Sequence, residues 1–309
     1  MVLRKMTAIC ALCALSVFVG GCSNGAEQQS TAEQSSLSQE SLSAENILET
    51  AKQSNNNAQS YNATMDVYFE FENNGSEMNA EVVTNILSFT EPVFKHITMD
   101  VKQNGSNASK SDFYVDVDDS GSMYLYALYE SDWYKMKVDA TALFGVLGQY
   151  DIKAVLDILL TNSTNPVVSE ETEKINGVDV YKVDCVIPPE KVPETIINTG
   201  VFVVNGMLYL TEEHLSGAGE MPVTYYISAE TGDVVDFSFD AGPAYQTISD
   251  NMFNAVKDLE GYENAQKLVI NSFNVDVNVD DINSAERIDV PDEVLAAQEM
   301  EDISVEETE

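Results

Sequence analysis

From Ser60 onward the chain alternates with a period of two. Tyr61, Ala63, Met65, Val67, Phe69 and Phe71 are apolar, while Asn62, Thr64, Asp66, Glu70 and Glu72 fall between them. Side chains of a strand point to its two faces in turn, so this spacing predicts a long strand with one buried face. Asn73-Asn74-Gly75 is turn chemistry, and further strands are expected near 82–89, 94–101, 113–117, 123–129 and 133–138, divided by Asn-Gly, Asp-Ser-Gly and Ser-Asp steps. Strands joined by such short turns are antiparallel neighbours. Between 139 and 160 the period lengthens, and Ile152, Val155, Leu156 and Leu159 form a helical stripe. Strands resume near 167–174 and 178–187 around Asn176-Gly177; after Pro188-Pro189 the pattern is hard to read, and 201–210, apolar on both faces, suits a buried helix or a strand equally. A hairpin of 223–228 and 234–239 around Glu230-Thr231-Gly232-Asp233, a helix over 247–259 and a last strand over 273–279 complete the pattern. Upstream, Ser43 reads as the N-cap of a helix carrying Ala44, Ile47, Leu48 and Ala51. No fixed-period repeat and no Pro/Gly-rich linker divides this body, which predicts one domain.

The N-terminus has a different pattern. Arg4 and Lys5 precede an apolar run from Met6 to Val19, shorter than the roughly 20 residues of a membrane-crossing helix. This is the form of a signal peptide. Its end, Val19-Gly20-Gly21-Cys22, resembles the bacterial lipobox, in which the chain is cut before a diacylated cysteine. The alternative is ordinary secretory cleavage beside an incidental cysteine, against which stands the order of basic start, apolar run, small residues and cysteine. Cys22 is therefore the expected lipid attachment site, and two acyl chains suffice for stable anchoring where one binds marginally. Residues 23–43 are rich in Ser, Gln, Glu and Ala and bury too little to order themselves. The expected organisation is a leader over 1–21, a lipidated tether over 22–43, a folded domain over 44–298 and an acidic, disordered tail over 299–309.

Composition narrows the function. Among 309 residues, 52 acidic against 15 basic side chains give a net charge of -37, while 44% of residues are hydrophobic. Too few cations are available to neutralise a phosphate backbone, which excludes nucleic acid as a partner. With Cys10 and Cys13 in the leader and Cys22 modified, Cys185 is left without a disulfide partner, on an alternating apolar face with Tyr181, Val183 and Ile187 that favours a buried, inert thiol. His96 and His214 are the whole histidine complement, and no H-E-x-x-H, G-x-S-x-G or phosphate-cradling glycine loop occurs. Asp116-Val117-Asp118-Asp119-Ser120-Gly121 begins like a calcium loop, but its twelfth position is Ala127 where a bidentate glutamate is required, so a plain hairpin turn is expected. Asn274, Asp276, Asn278 and Asp280 read as a solvated strand face, and Trp133 as a rim or core residue rather than a stacking platform. No catalysis, metal or cofactor is expected.

The order of elements carries a resemblance. The lipobox, the polar tether, the short helix before Ser60-Tyr61, the long strands, Asp132-Trp133-Tyr134-Lys135-Met136, the hairpin Tyr225-Tyr226-Ile227-Ser228-Ala229-Glu230-Thr231-Gly232 and the closing Val290-Pro291-Asp292-Glu293-Val294 together resemble LolA-like lipoproteins of Gram-positive bacteria. The likeness spans residues 44–298, and 199–219 departs from the compact members. That superfamily, with its LolA/LolB and LppX/LprG carriers, implies an α+β fold in which a large curved antiparallel sheet, a half-barrel, holds helices on its concave face over an apolar cavity. The expectation that follows is a monomeric lipoprotein, anchored at the extracytoplasmic face of the cell membrane, which binds a lipid or other amphiphile and acts as a carrier. Met65, Phe69, Met99, Leu156 and Leu159, each on the apolar phase of its element, are the expected ligand-lining residues. The alternative is a non-catalytic surface adaptor or sensor of the same fold with a filled core.

Overall fold

The computed structural model describes residues 43–300 except 74, 119, 141–142, 144–146, 203–209 and 260–266. The alternating segment after Ser60 forms β1 (Ser60–Asn73), followed by β2 (Ser76–Thr90), β3 (Val93–Gln103), β4 (Ser106–Val117), β5 (Met123–Tyr129) and β6 (Asp132–Val138). Each pairs antiparallel with the next, as the short turns between them require. The second half contributes β7 (Thr164–Val168), β8 (Glu173–Ile175), β9 (Val178–Ile187), β10 (Met221–Ser228), β11 (Val234–Asp240) and β12 (Val269–Asp280). Strand β12 returns to pair with β1, which joins the two halves into one sheet. A two-residue strand, β13 (Gln298–Glu299), adds in parallel to β6, so the sheet runs β13-β6-β5-β4-β3-β2-β1-β12-β11-β10-β9-β7, with β8 beside β9. Among the described residues no pairing joins its two edges, and the sheet is open.

Helices α1 (Ala44–Asn57), α2 (Ile152–Asn162), α3 (Val192–Thr199) and α4 (Gly242–Val256) share one hydrophobic core with the inward residues of the sheet. The expected class, α+β with a large antiparallel sheet and helices on one face, is the class observed. Helix α1 begins where the Ser43 side chain accepts a hydrogen bond from the Asn46 amide, and it buries the stripe Ala44, Ile47, Leu48 and Ala51. Glycine is needed where α1 meets the β10–β11 hairpin: Gly232 has φ 77°, and a Cβ there would stand 2.5 Å from Thr50 Cγ2.

Four expected boundaries are corrected. The stretch 139–160 is not one helix: a 3-10 turn at Gly148–Tyr150 intervenes, and Asp151 accepts from the Ala154 amide to cap a new helix at Ile152. The helix expected over 247–259 starts at Gly242, because Pro243 in the first turn gives up an amide that has no helical partner anyway. The strand expected over 167–174 is two short ones, β7 and β8. The first two residues of the stretch expected to be a tail are paired to the sheet: Glu299 belongs to β13 and the Met300 amide donates to the Lys135 carbonyl at 2.9 Å. The leader, Cys22, the tether to residue 42, most of 201–210 and the acids from 301 onward lie outside the described residues.

The other face of the sheet is polar over β1, β2 and β12, where Asn62, Thr64 and Asp66 stand opposite Asp280, Asn278 and Asp276. Further along, the chain after β12 crosses this face. Arg287 lies 4.6 Å over the Phe94 ring and pairs with Asp116 at 2.7 Å, and helix α5 (Asp292–Leu295) follows. Val294 and Ala297 thereby close a second, smaller cluster with Leu87, Phe94, Tyr114 and Tyr126.

Candidate functional site

Strand register brings three polar side chains together on the buried face. Tyr61 on β1 stands opposite Ser88 on β2, and Ser88 opposite Lys95 on β3. All three are buried, Lys95 to 7% exposure. A lysine this far from water must be paired and hydrogen-bonded. Its Nζ donates to Ser88 Oγ at 3.0 Å and to Asp151 Oδ2 at 3.2 Å. Asp151 is held in place by its other oxygen, which accepts from the Ala154 amide at 3.2 Å. Burial works against the charge of Lys95, yet Tyr61 and Asp151 outweigh it and hold the ammonium above the ordinary lysine range. Burial likewise pushes the Tyr61 hydroxyl up, against the pull of Lys95. Lys153, in the first turn of α2, extends to the end of α1, where its Nζ donates to the carbonyls of Asn56 and Ala58 at 2.9 and 2.8 Å.

These groups form one wall of a pocket of about 290 Å³ that opens to solvent. The rest of the lining is mostly apolar: Phe89 and Val93 at the facing ends of β2 and β3, Met123 from β5, and Ala140, Leu143 and Leu147 from between β6 and α2. Its size lies at the lower edge of the range of about 300 to 1,000 Å³ usual for small-molecule sites. A mostly apolar lining with a few convergent polar groups is the composition of such sites.

Beneath α2 the interior is filled. Two voids there measure about 20 Å³, bordered by Leu156, Tyr61 and Ile152, and about 10 Å³, bordered by Met65, Val155 and Phe237. Each has room for about one water molecule at most. The five residues singled out from the sequence belong to the main hydrophobic core, with Met99 at its margin, and none of them lines the 290 Å³ pocket. Met65, Leu156 and Leu159 are buried, Phe69 packs on Phe71, Tyr245 and Phe273, and Met99 is half-buried with its sulfur 3.4 Å from the Tyr150 hydroxyl.

The remaining candidates have local partners. Burial, helped by Asp184, pushes the Cys185 thiol up to about 12, far from a thiolate at neutral pH. Asp118 accepts from the Ser120 and Ser122 amides and so closes its own turn, while Asp116 is paired with Arg287. His96 contacts Asp112 at 3.0 Å and stacks on Tyr114, and His214 is bonded to Thr211. Trp133 meets Tyr114 edge-on at the rim of the smaller cluster. Asp236, on the polar face, has its carboxyl raised to about 6 by burial and by the nearby Asp276 and Asp280.

The family model described as a family of unknown function, DUF6612, matches residues 43–159, a span that contains Tyr61, Ser88, Lys95 and Asp151. No curated protein matches the chain. Among solved structures, the chain is similar to LprF from Mycobacterium bovis, with 17% identity and a TM-score of 0.42 over 80% of this chain and 96% of that one. It is also similar to the Mycobacterium tuberculosis lipoprotein LppX, at 12% identity and a TM-score of 0.40 over 79% and 96% of the two chains. A putative outer membrane lipoprotein-sorting protein domain from Vibrio parahaemolyticus matches at 10% identity and a TM-score of 0.22, over 77% of this chain and 92% of that one. Among the described residues no helix is long and apolar enough to cross a membrane.

Proposed function

We propose that this is a lipid-anchored, extracytoplasmic binding protein that takes an amphiphile into the pocket between Lys95 and Leu147, as a monomer and without catalysis. Anchoring follows from the leader ending in Val19-Gly20-Gly21-Cys22, with residues 22–43 as the tether between membrane and domain. The observation that carries the binding reading is the pocket itself, whose lining combines the apolar Phe89, Val93, Met123, Leu143 and Leu147 with the polar Lys95, Ser88 and Asp151. An amphiphile matches both parts of this lining at once, and transport as a carrier is an extension of that binding. The absence of chemistry in this reading is supported by the inert Cys185 thiol and by the local partners of both histidines. The second reading, an adaptor with a filled interior, draws on the small size of the two voids beneath α2.

The chain from residue 22 onward, carrying Cys22→Ser and prepared without detergent, is the material for the test. Native mass spectrometry is expected to find one alkyl ligand per chain, either co-purified or taken up from solution. Val93→Trp, which fills the pocket from its half-buried rim, is expected to prevent uptake. A chain that neither carries nor takes up any alkyl compound is the result that moves the assignment to the adaptor.

A further inference from the structure

We infer that the ligand of this pocket is a single-chain amphiphile with an anionic head, such as a medium-chain carboxylate, seated with its head at Lys95. This rests on the amphiphile reading and adds the sign of the head and the number of chains. The charged residues lining the pocket are Lys95, Lys153 and Asp151, a surplus of one positive charge in a chain whose net charge is -37. In the other cavities the charged lining is acidic or balanced: Asp280 beside His96 in one, Asp112, Asp132 and Glu293 in another, Asp233 against Lys153 in a third. A lining with a positive surplus favours an anionic over a cationic head at short range, where contact outweighs the field of the whole molecule.

The bonding leaves a place for the head. An ammonium has three donors, and among the described residues Lys95 uses two, on Ser88 and Asp151. Asp151 pairs with Lys95 and caps α2, while the charge of Lys153 is met by the carbonyls of Asn56 and Ala58, so the surplus positive charge of the lining is that of Lys153. The first turn of α2 adds the positive end of its helix dipole to the same wall. A carboxylate accepting the third donor of Lys95 would complete its shell with a charge-assisted bond, stronger than one to a neutral head. Size fixes the tail. A pocket of about 290 Å³ accommodates one short alkyl chain against Val93, Met123 and Leu147 and has no room for a two-chain lipid.

The experiment compares decanoate, decanol and decylammonium by titration calorimetry on the chain from residue 22 with Cys22→Ser, at low salt. Decanoate is expected to bind at least 10-fold more tightly than decanol, with decylammonium weakest, and Lys95→Met is expected to bring decanoate down to the level of decanol. Because Lys95→Met leaves Asp151 unpaired, its melting is followed in parallel, and Lys153→Gln, on the open side, provides a second reading as a loss of 2- to 5-fold for decanoate alone. Equal binding of decanoate and decanol overturns the anionic head and leaves the amphiphile reading standing. Failure of all three to bind overturns both.

Discussion

The helices cover the sheet in two different ways. Beneath α2, Leu156, Leu159 and Leu160 meet Met65 and the apolar residues of β11 and β12, and the voids left over are no larger than a water molecule. At the β1–β3 end Phe89, Val93 and Lys95 share an open pocket with Leu143 and Leu147. Both regions draw on the inward face of one sheet, and β1 contributes to each, Met65 to the packed region and Tyr61 to the pocket. What differs is the residue at the row: Ile86 and Ile97 continue the apolar contact, whereas one step along, Ser88 and Lys95 introduce groups that need partners and a wet margin. The contrast shows how a fold can be solid in one region and open at another.

Truncation exposes the contrast most strongly. Leu159→Ala removes a fully buried side chain from the packed region and is expected to cost about 2 to 5 kcal/mol. Val93→Ala, which enlarges an existing pocket, is expected to cost about 1 kcal/mol or less on the same scale. Denaturant unfolding measures both, and equal losses would erase the distinction between the regions. Filling tests it from the other side. Leu156→Trp is expected to overpack the interior at a cost of about 1 to 3 kcal/mol while ligand uptake persists in the folded fraction, whereas Val93→Trp is expected to abolish uptake with a smaller loss of stability.

The smallest expected effect concerns the polar face, where Asp236 stands apart from both regions. Its carboxyl is raised to about 6 in the folded chain, so the folded state binds its proton more tightly than the unfolded state. Stability from this group therefore falls as pH rises from about 4 through 6, and at pH 7 the charged form weakens the fold. Asp236→Asn is expected to stabilise the protein at pH 7 by about 1 kcal/mol, after allowing for solvent screening of a partly exposed group. Melting curves at pH 5 and pH 7 are the measurement. The gain should shrink at pH 5, and ligand uptake should not change.

Much of this was legible in the alternation of residues. The period of two from Tyr61 to Phe71 located β1 and its buried face, and the turn residues located the meander, because strand phase and turn chemistry are local properties. The caps were partly legible: Ser43 stood out, while Asp151 was hidden inside what looked like a single helical stretch. The pocket was missed for a reason that is also local. Lys95 falls on the same strand phase as Ile97, and Ser88 on that of Ile86, so both sit where the pattern calls for apolar side chains. A lysine on an apolar phase is the signal the sequence carries for the pocket, whereas the apolar stripe of α2 points to Leu156 and Leu159. Whether an apolar stripe packs or faces a void depends on the distance between elements, which no local spacing encodes.

The most direct test of this account is where a bound alkyl chain touches the protein. With methyl-labelled protein and decanoate, intermolecular NOEs are predicted to the methyl groups of Val93, Met123, Leu143 and Leu147, with none to Met65 or Leu159. NOEs to Met65 and Leu159, with Val93 and Leu147 silent, would place the ligand inside the packed region and contradict the account.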